Sequence, residues 1–308
     1  MPFCADHGLR IHPSSPTFVY YNGSGRLAKR AASARNVRFQ ADYFTRHIFE
    51  NPDKAETHRF DSEKSEDALT WNVLVGILMQ GQLHRLYEWF TGERAAPNTV
   101  SLYLWGLHID LSVPGAPVYA PLENVRQALE PDISRCQTEP DVILVGPGRL
   151  VCVEAKFTSG NPLARDEDAD EGDKPKRRED LIARYVERNR VWTKPLFRPA
   201  DVGTKVHSQL LRVSVFAACM AELTSLDWLA VNLVSSTQWK HHGSRRGTHH
   251  EDFDDPTPYL PSTVQERFRF KTWEELYAQV LQDDPALTDV SNYMRGKSAF
   301  LKPAFRLT

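Results

Sequence analysis

The chain has 308 residues, a formal net charge of −2, and a composition that is 41 % hydrophobic and 25 % charged. Those values describe an ordinary globular chain with ample apolar material for a core, and they exclude a generally basic protein that coats nucleic acid. Four cysteines (Cys4, Cys136, Cys152, Cys219) form no CxxC pair, which argues against a disulfide scaffold or zinc knuckle and favours a reducing, cytoplasmic setting.

Met1 to Arg10 has no apolar signal core, and the longest apolar run, Val73–Met79, is too short to span a bilayer, so a soluble intracellular protein is expected. Residues 1–35 are punctuated by Pro, Gly and Ser without periodicity, which predicts an irregular arm. Phe39, Tyr43, Phe44 and Ile48 fall at helical spacing and predict a helix over 36–50, stopped at Asn51-Pro52. A longer helix is predicted over about 63–90, with an apolar stripe of Leu69, Val73, Leu74, Ile77 and Leu78 and Gly92 at its end. Val100 to Val113 alternates in two sets that are out of phase across Gly106, which predicts extended chain with a bend there. Pro121 opens a short helix carrying Leu122, Val125 and Leu129.

Two apolar runs, Val142–Val145 and Leu150–Val153, flank Gly146-Pro147-Gly148-Arg149 and predict a hairpin. Residues 164–180 are almost wholly charged and predict a solvated loop. Helices over roughly 178–191 and 204–223 follow, then a buried strand at Trp228–Val234, a His- and Arg-rich loop over 237–262, and a helix from Thr272. Thr272 and Glu275 have the spacing of a capping box. Helices alternating with strands predict an α/β fold: a mixed central sheet flanked by helices, with N-terminal and C-terminal helical extensions. The chain divides into an N-terminal arm and helix (1–60), a core (61–240) and a C-terminal loop with helices packed on the same domain (241–308).

The chemistry concentrates in the predicted hairpin. If residues 146–149 join its strands, Val145 pairs with Leu150, and counting outward brings Asp141 opposite Glu154. Directly opposed residues share a face, with Cβ atoms roughly 4.5–5.5 Å apart. Alternation puts Lys156 on the side of Glu154 and Ala155 on the other. Two facing carboxylates repel and one pKa rises. A divalent cation relieves that repulsion, and oxygen ligands suit Mg²⁺. The competing reading is a pair of solvated charges at a strand end, worth little.

Pro140-Asp141, twelve intervening residues and Glu154-Ala155-Lys156 resemble the signature of the PD-(D/E)xK nuclease superfamily, the restriction-endonuclease-like fold. The likeness covers under a tenth of the chain. It implies a nuclease, foremost a DNA endonuclease of restriction or defence type, in which Asp141, Glu154 and the Ala155 carbonyl hold Mg²⁺ (with Mn²⁺ as a substitute) and Lys156 orients the attacking water. It also implies an acidic residue on the first core helix, Glu66 with Glu63 as rival, and a Gln on the helix after the lysine strand, Gln209. Acidic residues favour a helix N-terminus in any protein, and Gln209 also reads as an ordinary polar helix position. Phe157-Thr158-Ser159-Gly160-Asn161 resembles the same family and has no assigned role.

Nucleic acid, foremost double-stranded DNA, is the expected partner, and cutting both strands implies a homodimer. Two basic stretches fit backbone contacts: Arg26 to Arg38, and Lys174 to Arg198. His241-His242 and His249-His250 have no structural-zinc spacing and read as a polar loop. No GxSxG elbow, Walker A loop or GxGxxG is present, so serine hydrolysis and nucleotide binding are not expected. The alternative from another class is a non-catalytic nucleic-acid-binding or assembly subunit. A nuclease acting on structured RNA or branched DNA shares the same site.

Overall fold

A mixed six-stranded sheet flanked by helices organises the described residues. The structure, a computed structural model, describes residues 33–50, 60, 62–63, 65–131, 138–157, 185, 208–236, 262, 265–300 and 306–307, with the backbone of three short strands near the N-terminus. Those three, β1 (Phe3–Cys4), β2 (Leu9–Ile11) and β3 (Phe18–Val19), pair antiparallel. They correct the expectation of an irregular arm: strands of two or three residues are too short to leave a readable alternation.

β4 (Ser101–Leu104), β5 (Leu107–His108), β6 (Val142–Val145), β7 (Arg149–Ala155), β8 (Asp227–Val234) and β9 (Phe268–Thr272) form the main sheet in the order β5-β4-β6-β7-β8-β9. The first three contacts are antiparallel; β7·β8 and β8·β9 are parallel. In the hairpin Val145 pairs with Leu150, Leu144 with Val151, Ile143 with Cys152 and Val142 with Val153, the register counted from the sequence. Val100–Val113 is not one bent strand. Trp105 and Gly106, with φ of 50° and 77°, reverse the chain so that Leu104 faces Leu107. Two left-handed residues are what a tight hairpin turn needs, and the reversal accounts for the phase slip across Gly106.

Alternation sorts the central strands into two layers. Val151, Val153 and Ala155 of β7 join Val142, Leu144, Leu229, Val231 and Leu233 in one core cluster. Leu150 and Cys152 join Ile143, Trp228 and Ala230 in the other. Helices cover both layers, so these strands are apolar on both faces. The first layer is packed by α1 (Ala41–Phe44, which runs into a π turn at Thr45–Phe49), α2 (Glu66–Met79) and α3 (Leu83–Thr91). The second is packed by α4 (Ala120–Leu129) and α5 (Ser208–Thr224). α6 (Trp273–Leu276) and α7 (Thr288–Phe300) return to the first layer.

The helix expected over 63–90 is two helices, because Gly81 takes a φ of 66° between α2 and α3. In α2 every residue from Ala68 to Ile77 is buried, a helix enclosed on all sides where a stripe was predicted. Its Asn72 is satisfied there: Nδ2 donates to the Asn36 and Ala68 carbonyls (each 2.8 Å), and Oδ1 accepts from the Arg38 amide at 2.7 Å. β9 had no counterpart in the sequence reading. The helix predicted over 178–191 lies outside the described residues apart from Tyr185. Cys152 and Cys219 are buried free thiols. Among the described residues no helix is long and apolar enough to cross a membrane.

Candidate active site

β6 and β7 end side by side, and Asp141 stands one residue outside the last registered pair, Val142 with Val153. Its Oδ2 accepts from the Ala155 amide at 2.8 Å, and its carbonyl accepts from the Trp105 amide at 3.1 Å. The β4–β5 turn and β7 therefore fix this residue at both ends. Glu154 and Lys156 are buried at 5 % and 6 % exposure, so their charges must find partners inside the protein. The Lys156 Nζ donates to Glu154 Oε1 at 2.5 Å and lies 3.6 Å from Glu66 Oε1. The Lys156 main chain is tied on both sides: its amide donates to the Leu233 carbonyl (2.7 Å), and its carbonyl accepts from Trp273 Nε1 (3.0 Å).

Glu66 arrives from the opposite layer on the first turn of α2. Ser65 caps that helix, its Oγ accepting from the Ala68 amide at 3.0 Å, and this fixes where Glu66 and Asp67 emerge. Glu66 Oε2 also accepts from the Phe157 amide at 3.4 Å. Its rival Glu63 is committed elsewhere: Lys297 Nζ donates to the Glu63 carboxylate and carbonyl and to Asn36 Oδ1. The structure thus brings Glu66 beside Lys156 and pairs Glu63 with Lys297.

Burial of its carboxyl is the largest reason that the Asp141 pKa stands well above the usual carboxylate range. The charge of Glu154 adds to the rise, Lys156 opposes it, and Asp67 and Glu66 add smaller increments. Burial alone would lower the Lys156 pKa. The carboxylates of Glu154, Glu66 and Asp141, with the hydrogen bond to Glu154, more than offset that and hold the ammonium well above its ordinary value. Several carboxylates thus surround one lysine that stays charged.

The sequence-predicted residues fall into three groups. Asp141, Glu154, Lys156 and Glu66 converge, and Ala155 joins them through its amide. Gln209 stands on the first turn of α5, on the layer that Glu154 faces. Its Oε1 is buried without a hydrogen-bond partner among the described residues, and it makes no hydrogen bond to Lys156 there. Arg35 and Arg38 are exposed, but the rest of the two basic stretches and the paired histidines lie outside the described residues. Among the described residues, no three His, Cys, Asp or Glu side chains are drawn together as a metal cluster.

Three neighbours were not anticipated. Asp67 adds negative charge near Asp141, and its position beside Glu66 in a capped first turn was a usable signal. Asn232, fully buried, pairs in register with Glu154 on β8, and a lone Asn inside an apolar strand run was also legible. Trp273 holds the Lys156 carbonyl from a different part of the chain, and no local pattern announces that contact. Comparison of the chain with protein-family models, curated proteins and solved structures finds no match.

Proposed function

We propose that the protein is a Mg²⁺-dependent nuclease of the PD-(D/E)xK type on a restriction-endonuclease-like fold, acting first on double-stranded DNA. One observation carries the reading: the β6–β7 register sets Asp141, Glu154 and Lys156 at one end of a mixed sheet, where Glu66 joins them from the first turn of α2. The signature in the sequence and the convergence in space are separate supports. The same end of the sheet lies beyond the carboxyl edge of parallel β7 and β8, a common place for sites in α/β sheets.

The donor set fits a hard divalent cation. It consists of carboxylate oxygens, and Asp141 is buried beside the charge of Glu154, a burden that Lys156 opposes and a cation would relieve further. The ammonium of Lys156 is the counter-charge on Glu154 in this structure. Asp141 and Glu154 with the Ala155 carbonyl would hold Mg²⁺ or Mn²⁺, and Glu66 would assist. When bound, the metal supplies Lewis acidity at the phosphoryl oxygen and a lower pKa for its water.

Lys156, held by main-chain bonds on both sides, presents a fixed donor to the attacking water and offsets negative charge in the transition state. Its raised pKa keeps it a cation, so it orients and stabilises, and proton removal falls to other groups. Gln209, whose buried carbonyl oxygen has no hydrogen-bond partner among the described residues, would orient substrate.

The test is cleavage of supercoiled plasmid, linear duplex, single-stranded DNA and RNA with Mg²⁺ or EDTA. Metal-dependent cutting of duplex DNA, abolished in Asp141→Ala, supports the reading. Binding without cutting, unchanged by EDTA, replaces it with a nucleic-acid-binding subunit.

A further inference from the structure

The approach to Asp141 is fastened by a buried polar cluster that the proposed chemistry does not use. Glu130 ends α4 with no exposed surface, and both of its carboxylate oxygens are engaged. Oε2 accepts from the Thr138 amide at 2.8 Å, and Oε1 accepts from the Tyr185 hydroxyl. The Thr138 hydroxyl closes the ring with Tyr185 at 3.1 Å. One turn back on α4, Arg126 donates through Nε to the Thr138 carbonyl (2.9 Å) and through its guanidinium to Glu139 (2.8 Å). Thr138 and Glu139 are thereby bound to α4 through main chain and side chain. Pro140 follows with its φ fixed by the ring, and then comes Asp141.

We propose that Glu130, Thr138 and Tyr185 are positioning residues that set where the Asp141 carboxylate stands against β7. A buried carboxylate is costly unless its lone pairs are filled, so Glu130 specifies both partners, and its own place is set by α4. Tyr185 enters from the chain between β7 and α5 and packs its ring near Phe216 of α5, with centroids 6.0 Å apart. The cluster thus joins α4, α5 and the residues before β6 at the one strand that delivers Asp141. Small displacements at a reacting centre carry large rate costs, which gives the arrangement a functional consequence. The kinetic part of this inference rests on the nuclease reading; the geometric part does not.

The experiment compares Tyr185→Phe, Thr138→Val, their double variant and Glu130→Gln with wild type by three measurements: steady-state cleavage of duplex DNA, thermal melting, and amide exchange at Ala155, whose N–H binds Asp141. Tyr185→Phe and Thr138→Val each remove one end of the same contact. Each is expected to lower kcat about tenfold with KM unchanged. The double variant should be no worse than Tyr185→Phe, which already removes the contacts of the hydroxyl with both Thr138 and Glu130, because coupled partners do not add. Ala155 should exchange several-fold faster in both single variants while the other β7 amides keep their protection. Glu130→Gln, which retains an acceptor for Thr138 and a polar group for Tyr185, should stay near wild type. Unchanged kcat and Ala155 exchange, or uniform acceleration across β7 with a matching fall in melting temperature, overturns the proposal. If wild type cuts no substrate, the nuclease reading fails, and Ala155 exchange alone decides the positioning role.

Discussion

The Ala155 amide donates to Asp141 Oδ2 across 2.8 Å, joining residues fourteen positions apart where the β6–β7 ladder has ended. Asp141 takes the donor that would have made the next rung. The carboxyl is thereby held in a buried place, where desolvation first and the charge of Glu154 second raise its proton affinity, against the opposing pull of Lys156. The site stores an electrostatic conflict that the fold does not resolve by itself.

Asp141→Asn should therefore stabilise the metal-free protein. A carboxyl whose folded pKa is raised contributes stability that is present below the unfolded value and is lost as pH rises through the folded one. Wild type loses this increment between about pH 4 and the raised value, while an amide loses nothing. Each unit of displacement is worth about 1.4 kcal/mol. Melting of both proteins at pH 5 and pH 8 measures it: the gain for Asn should be larger at pH 8, and a pH-independent difference would remove the explanation.

Lys156→Ala leaves Glu154 buried and unpaired, at a cost of about 3–5 kcal/mol in the absence of metal. On this account Lys156 and a divalent cation share Glu154. Mn²⁺ should then raise the melting temperature of the variant by more than that of wild type, through mass action. An equal or smaller gain would show that Glu154 is not a shared ligand.

Glu66 and Glu63 should separate cleanly. Glu66→Gln is expected to cut the cleavage rate about 10- to 100-fold with little change in melting. Glu63→Gln leaves Lys297 buried without its carboxylate and should cost roughly 3 kcal/mol, with activity per folded molecule retained. Denaturant midpoints alongside initial rates check both; the reverse pattern would exchange the two roles.

Gly146→Ala probes the other end of the hairpin. A Cβ there would stand 2.3 Å from the Tyr87 ring, which is buried, so backbone or ring must shift. Overpacking of this kind costs about 1–3 kcal/mol. A urea midpoint lowered with kcat intact is expected, because the change lies at the opposite end of β6 from Asp141. An unchanged midpoint would mean that the ring moves freely.

The hairpin was legible because two short apolar runs around Gly-Pro-Gly admit a single register that keeps Asp141 and Glu154 on one face. The capping box at Thr272 and Glu275 was legible for the same reason: it is a local device with fixed spacing. The break at Gly81 was not, because only backbone φ marks it; at Trp105-Gly106 the phase slip announced a bend, and only the φ values and the strand pairing make it a full reversal. β9, Trp273 and the Lys297–Glu63 pair were out of reach for another reason. Their partners lie far along the chain, and sequence periodicity carries no information on which distant elements meet. Glu66 could be named but not separated from Glu63 until the position of Lys297 was known.

The central claim is that Asp141 and Glu154 hold the metal while Lys156 acts on the chemistry. Its most direct test is plasmid cleavage at saturating Mn²⁺ by wild type, Asp141→Ala and Lys156→Ala, with bound metal counted in the same samples. The account predicts cutting by wild type only, with metal retained in Lys156→Ala and lost or greatly weakened in Asp141→Ala. Undiminished cutting by Lys156→Ala, or full metal occupancy in Asp141→Ala, would contradict it.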